Sequence, residues 1–156
     1  MPHPIILIAA LARNHVIGTQ DGMPWHIPEE YQQYLGFIRD QTVIMGRRTY
    51  EIFGADLTSR HALVVSRSLP PGEGYEVCDS LEKALAVAQQ LGRDIFVAGG
   101  ASIYAQALPL ADAMYLSYIE GEYEGVVYFP AFDAEEWQVE ERRPHAQFEF
   151  VRYGRG

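Results

Sequence analysis

The chain has little of what usually announces a function. Cys78 is its only cysteine among 156 residues, which excludes an internal disulfide framework and any cysteine-rich zinc site. His3, His15, His26, His61 and His145 lack metal-ligand spacing, so no metal is expected. No apolar run approaches the ~20 residues of a membrane span, and no basic region precedes an apolar one at the N-terminus. A cytoplasmic protein without membrane attachment is therefore expected. There is no G-x-S-x-G elbow, P-loop or G-x-G-x-x-G fingerprint, no internal repeat and no low-complexity tract. Lys83 is the only lysine, a bias that nothing in the sequence explains.

What remains is ordinary in amount and uneven in placement. Hydrophobic residues make up 48% and charged residues 21%, and the length suits a single domain over residues 1–156. The net charge of −9 argues against nucleic acid as a partner. Yet residues 39–67 hold Arg39, Arg47, Arg48, Arg60 and Arg67 against only Asp40, Glu51 and Asp56. A basic zone on an acidic protein points to a small anionic ligand.

Apolar runs alternate with helical patterns. Residues 4–12, 42–45, 61–65, 75–78, 94–98 and 113–119 read as strands, with helices expected over 28–39, from Gly46 to near Gly54, over 81–91 and over 100–108. Ser80 is a helix N-cap and Gly92 a stop. Residues 13–28 read as a long loop, a type that is often functional. Alternation over 137–141 and 147–153 suggests two final antiparallel strands. The expected fold is α/β: one domain with a mostly parallel central sheet, an antiparallel C-terminal edge and helices on both faces.

Three constellations carry chemistry. On a helix at about 100° per residue, Ile27, Tyr31, Tyr34, Leu35, Phe37 and Ile38 form one apolar arc with Glu30 inside it. Glu29 falls opposite, with Gln32, Gln33, Arg39 and Asp40. An acid on an apolar face is costly unless paired, and its pKa rises toward a useful value. The plainer reading is that both acids complement the helix N-terminus behind Pro28. Trp25, in the preceding loop, suits core and lid equally. Second, Gly46-Arg47-Arg48-Thr49 places two cations where a strand enters a helix, against the dipole unless an anion sits there. Third, Gly99-Gly100 opens another strand-to-helix turn, where a backbone can approach a ligand closely. Both turns fall at the carboxyl edge of a parallel sheet, where such folds bind ligands.

In order along residues 5–130, Ile8-Ala9-Ala10-Leu11-Ala12, Val16-Ile17-Gly18, Met23-Pro24-Trp25 with Pro28 and Glu30, Val43-Ile44-Met45-Gly46-Arg47 with Thr49, Val97-Ala98-Gly99-Gly100 with Ile103-Tyr104, and Glu124-Gly125 with Tyr128-Phe129-Pro130 resemble bacterial dihydrofolate reductase. The resemblance implies a monomeric enzyme that reduces 7,8-dihydrofolate to tetrahydrofolate, transferring hydride from NADPH to pterin C6 as N5 gains a proton. It implies antifolate binding too. Glu30 occupies the family's carboxylate position, holding the pterin 2-amino group and N3, with Ser117 behind it and Trp25 beside it as catalytic residues. Ile8, Tyr31, Tyr34, Phe53, Leu57 and Ala98 line the pterin and aminobenzoyl pocket, and Arg60 grips the glutamate α-carboxylate. Ala10, Ile17, Gly18 and Tyr104 frame the nicotinamide. Arg47, Ser66 and Arg67 take the 2′-phosphate. Gly46, Arg48, Thr49, Gly99, Gly100, Ala101, Ser102 and Ile103 complete the cofactor site, with a cis Gly99–Gly100 peptide.

Three departures from the family pattern stand out. Tyr31 replaces an aliphatic residue or phenylalanine, so its hydroxyl threatens to crowd the pocket. Val126 replaces a loop-holding aspartate, and the early C-terminus suggests a short last strand pair. The competing readings are a reductase of another dihydropterin or of a ribosylated pyrimidine, and a silent NADPH- or folate-binding module. Glu30 and Arg60 disfavour the pyrimidine, and the intact set of Trp25, Glu30 and Arg60 disfavours the silent module.

Overall fold

The computed structural model describes residues 2–18, 25–121, 123–125 and 127–156. Met23, Pro24 and Val126, which carried readings above, lie outside them. The chain begins with β1 (Ile5–Ala12), β2 (Val16–Gly18), α1 (Pro28–Ile38), β3 (Thr42–Gly46) and α2 (Arg47–Phe53), which runs into a 3-10 turn (Gly54–Asp56). It continues with β4 (His61–Val65), β5 (Glu76–Cys78), α3 (Leu81–Gln89), β6 (Ile95–Val97) and α4 (Ala101–Ala107). After a second 3-10 turn come β7 (Ala113–Ile119), β8 (Val127–Tyr128), β9 (Trp137–Pro144) and β10 (Phe148–Arg155).

Eight strands form one sheet in the order β5-β4-β3-β6-β1-β7-β10-β9. The first six in that order run parallel, and β10 and β9 add the antiparallel edge. The architecture is the one the alternation of patterns implies. Strands buried on both faces need near-continuous apolar sequence, and β1 shows why. Its Leu7, Ala9 and Leu11 pack with α3 and α4 through Leu81, Leu85 and Ile103. Its Ile6 and Ile8 pack with Leu35 and Ile38 of α1 on the other face. Ser80 caps α3 as expected, its Oγ accepting from the Lys83 amide at 3.2 Å.

Two features differ from the sequence reading. The segment after β1 is not all loop: β2 pairs antiparallel with β8, Val16 opposite Tyr128. Strands of three and two residues are too short to display an alternation. The last strand pair is longer than expected, with eight residues in each strand. Its polar outer positions hid it, since Val139 is the only apolar residue within Gln138–Arg143. What holds it is β10, whose Phe148, Phe150 and Val151 are buried.

Phe150 links this edge to the helix that carries Glu30. Its ring lies 5.2 Å from Phe37 of α1 and 5.8 Å from Tyr115 of β7. Phe150→Ala is expected to lower unfolding free energy by about 3–5 kcal/mol, the usual range for emptying a buried aromatic site. Urea denaturation measures it. A loss under 1 kcal/mol would mean that α1 does not depend on this edge.

Candidate active site

The site is assembled at the carboxyl ends of β1, β3 and β6, where parallel strands release their chains in one direction. β3 ends at Gly46 and turns into α2, and β6 leads through Gly99-Gly100 into α4. The Gly46 amide donates to the Gly99 carbonyl at 2.8 Å, tying the two turns together. The Gly99–Gly100 peptide is cis, as the resemblance implies, and Gly99 has φ +113°. A Cβ at Gly99 would stand 3.4 Å from the Tyr104 ring and 3.5 Å from Thr49 Oγ1. Those are ordinary contact distances, so it is the φ, which only glycine accepts readily, that sets the residue here.

Glu30 lies in the first turn of α1 and is 5% exposed, while Glu29 beside it has a 58% exposed side chain. Glu29 instead meets His145, with Oε1 2.7 Å from Nδ1, outside the site. The two adjacent acids thus have the opposite environments that the helical arc predicts. Burial pushes the Glu30 carboxyl up to about 7 from its ordinary 4.5, and a hydrogen bond with the Ser117 hydroxyl draws it partway back. Ser117 is itself buried on β7, where it pairs with Ala10 of β1 and Phe150 of β10.

Around Glu30 is an inner cavity of about 70 Å³, lined by Ile8, Tyr31, Tyr34, Phe53 and Ala98, all foreseen, and by Ala9, Ala10, Thr49 and Tyr104. It adjoins a cleft of about 700 Å³. Ala10, Thr49, Phe53, Ala98 and Tyr104 line both spaces. The cleft holds twelve of the expected cofactor residues: Ala10, Ile17, Gly46, Arg47, Arg48, Thr49, Gly99, Gly100, Ala101, Ser102, Ile103 and Tyr104. Ile52 and Val127 line it too; nothing in the periodicity of such short elements marks them. The Tyr104 hydroxyl donates to the Ile8 carbonyl at 2.7 Å, fixing the ring between the two spaces.

Other expected residues are not brought into this lining. Trp25 is core: its ring meets Tyr123 edge-on at 5.2 Å, and it packs with Ala12, Val16, Ile119 and Phe148. Its indole N–H is buried without a partner among the described residues. Leu57 packs on the α1 side of the core. Arg60 is exposed and borders a separate groove with His61, Tyr75 and Glu76. Ser66 and Arg67 lie in the loop after β4, outside the cleft lining. Arg47 reaches that loop, donating to Ser68 Oγ at 3.1 Å and to Glu51 at 3.3 Å. Those two partners offset part of the cost of a cation at a helix N-terminus. Gly18 ends β2 opposite Val127.

The sequence reading missed Gln33 and Asp56. Gln33, assigned to the outer face, is half-buried and donates to Ser117 Oγ at 3.0 Å. It sits one turn beyond Glu30 at the margin of the arc, and its long side chain reaches back to β7. Asp56 accepts a 2.7 Å hydrogen bond from the Tyr31 hydroxyl. No group of three or more His, Cys, Asp or Glu among the described residues could hold a metal ion, and none of their helices is long and apolar enough to cross a membrane.

Among the described residues Glu30 is the one buried carboxylate, and its aromatic pocket adjoins a glycine- and arginine-lined cleft, an arrangement that suits a small heterocycle beside an anionic ligand. Known proteins agree. The family model described as "Dihydrofolate reductase" matches residues 4–155. Dihydrofolate reductase type 3 of Salmonella typhimurium is 41% identical over 142 residues, covering 90% of this chain and 87% of that one. Dihydrofolate reductase HdrB of Haloferax volcanii is 36% identical, with 96% and 82% covered. A solved dihydrofolate reductase from Enterococcus faecalis, complexed with NADP(H) and RAB-propyl, superposes with a TM-score of 0.90 at 24% identity over 100% and 99% of the two chains. On site, fold and sequence together, the chain belongs to the dihydrofolate reductase family.

Proposed function

We propose that the chain reduces 7,8-dihydrofolate to 5,6,7,8-tetrahydrofolate with NADPH. The observation that carries the proposal is Glu30, the one buried acid among the described residues, which lines a pocket adjoining a cleft of small-molecule size. The cleft volume falls within the range of small-molecule sites, and the glycines and Arg47 suit a phosphorylated dinucleotide. Bound NADPH supplies the hydride for pterin C6. Glu30 accepts hydrogen bonds from the pterin 2-amino group and N3, which fixes the ring and polarises it toward protonation at N5. Ser117 orients Glu30. Tyr31, Tyr34 and Phe53 enclose the ring and exclude water, and exposed Arg60 is the proposed anchor for the tail carboxylate. 2,4-Diaminopyrimidine antifolates fit the same acid, which can pair with their amino groups.

The direct test is loss of NADPH absorbance on adding dihydrofolate. Glu30→Gln is expected to lower turnover by at least 100-fold with NADPH affinity almost unchanged, while Glu29→Gln changes little, since an amide cannot complement the charge that develops on the pterin. Equal damage from both substitutions would sink the assignment.

The same carboxyl makes stability pH-dependent. Its folded pKa lies above its unfolded value, so the folded state holds the extra proton and stability falls as pH rises from about 4.5 through about 7. Above that window the ionised group costs on the order of 3 kcal/mol. Ligand-free Glu30→Gln should match the parent in melting temperature near pH 4.5 and exceed it above pH 7.5. A constant difference across that range contradicts the buried-acid reading.

Arg47→Ala and Arg67→Ala address the cofactor. Each is expected to weaken NADPH binding at least 10-fold and NADH binding much less, because the guanidinium groups are proposed to pair with the 2′-phosphate. Fluorescence titration with both nucleotides measures this. Equal losses would assign the arginines to the pyrophosphate or the fold.

A further inference from the structure

The hydrogen bonds behind Glu30 continue one residue further than the site requires. We propose that Gln33 is a positioning residue for the catalytic carboxylate, acting through Ser117. Gln33 Nε2 donates to Ser117 Oγ at 3.0 Å, and Ser117 is hydrogen-bonded to Glu30. A serine hydroxyl has one hydrogen, and an ionised carboxylate can only accept. If Ser117 is to serve Glu30, its hydrogen must point there, and its oxygen is then free to accept from a third group. Gln33 supplies that third group. With the amide reversed, the Gln33 oxygen would compete with Glu30 for the only hydroxyl hydrogen, so the polarity assigned to the amide is the one that keeps the acid served. A donor to the hydroxyl oxygen also polarises the O–H and strengthens its bond to the carboxylate.

Glu30 and Gln33 are one turn apart on α1, and both engage Ser117 of β7, Gln33 through its 3.0 Å hydrogen bond and Glu30 through the interaction that lowers its pKa. The influences on Glu30 are burial and the Ser117 hydroxyl, and Glu30 in turn raises the pKa of Tyr31 and Tyr34 of α1 and of Tyr104 of α4. All are phenols whose acidity burial suppresses further, so they stay neutral across an ordinary assay range. The Ser117 bond is then the adjustable stabiliser of the ionised acid, and Gln33 sets it. The inference rests on Glu30 being the pterin-binding carboxylate.

The test uses Gln33→Leu, which keeps the bulk and removes the donor, with Gln33→Met repeating the loss on a flexible side chain should leucine disturb the helix. Carbon-13 NMR of side-chain-labelled glutamate, with Glu30 assigned from the Glu30→Gln spectrum, reads its titration midpoint without substrate. The midpoint should rise by roughly 0.5–1 pH unit, since a hydrogen bond to the charged form has been weakened. The inflection of kcat/KM for dihydrofolate should move up by the same amount, KM at neutral pH should rise severalfold, and NADPH affinity should hold. In a Ser117→Ala background, Gln33→Leu should shift the midpoint no further, because the relay is already cut. An unchanged midpoint, or the same shift with and without Ser117, overturns the proposal. The two readings fail separately: full activity in Glu30→Gln would remove the function assigned to Glu30, while the NMR midpoint still reports whether Gln33 acts on it.

Discussion

An ionisable carboxyl held among aromatic rings is the constraint on which the rest of this structure turns. Glu30 sits where helix α1 faces the sheet, a position that physical chemistry reserves for apolar groups. Three things make it tolerable. It lies in the first helical turn behind Pro28, where the positive end of the peptide dipoles favours an anion. It receives the Ser117 hydroxyl from the neighbouring strand. Its remaining strain is relieved by protonation, which is why its pKa approaches neutrality. A group on the edge of ionisation is poor structure, and a ligand offering N–H donors would complete what the protein leaves unfinished.

The sheet supplies the remainder by arithmetic of direction. Because β1, β3 and β6 run parallel, the turn after β3 and the turn after β6 emerge side by side, and the Gly46–Gly99 hydrogen bond joins them. The residues shared by the inner cavity and the outer cleft, Ala10, Thr49, Ala98 and Tyr104 among them, come from three elements and the turn after β6. Small residues at positions 10 and 98 let the two spaces approach. Bulk at either position would wall one space off from the other, so alanine there keeps the cavity and the cleft in register.

How much of this was legible in the sequence depended on the length over which a signal could repeat. The long strands and α1 announced themselves through several turns or alternations, and so did the contrast between Glu29 and Glu30. β2 and β8 did not, because two or three residues carry no period. Val127 was invisible for the same reason, and Ile52 because its helix runs only seven residues. Gln33 failed differently. A helical wheel ranks positions by angle alone, and a glutamine 60° from Glu30 looks solvent-facing until a strand wraps close enough for its amide to reach. The arginines were read correctly as unusual, but the sequence could not show that Arg47 would spend its donors on Ser68 and Glu51.

Tyr31 shows how a departure from a family pattern can be absorbed locally. A tyrosine lining a pterin pocket brings a hydroxyl that needs a partner, and directed inward it would compete with the substrate. Here the hydroxyl is bound by Asp56 of the 3-10 turn after α2. Burial and that acid together suppress the phenol's ionisation. The pocket is thus presented with the ring, which stacks on Tyr34 at 6.0 Å and stands 6.2 Å from Phe53. An apolar face is what the position demands, and Asp56 is what allows a tyrosine to provide it. The two residues are best regarded as one substitution, because Asp56 has no other side-chain partner among the contacts described and Tyr31 without it would turn a half-exposed hydroxyl toward water or a ligand.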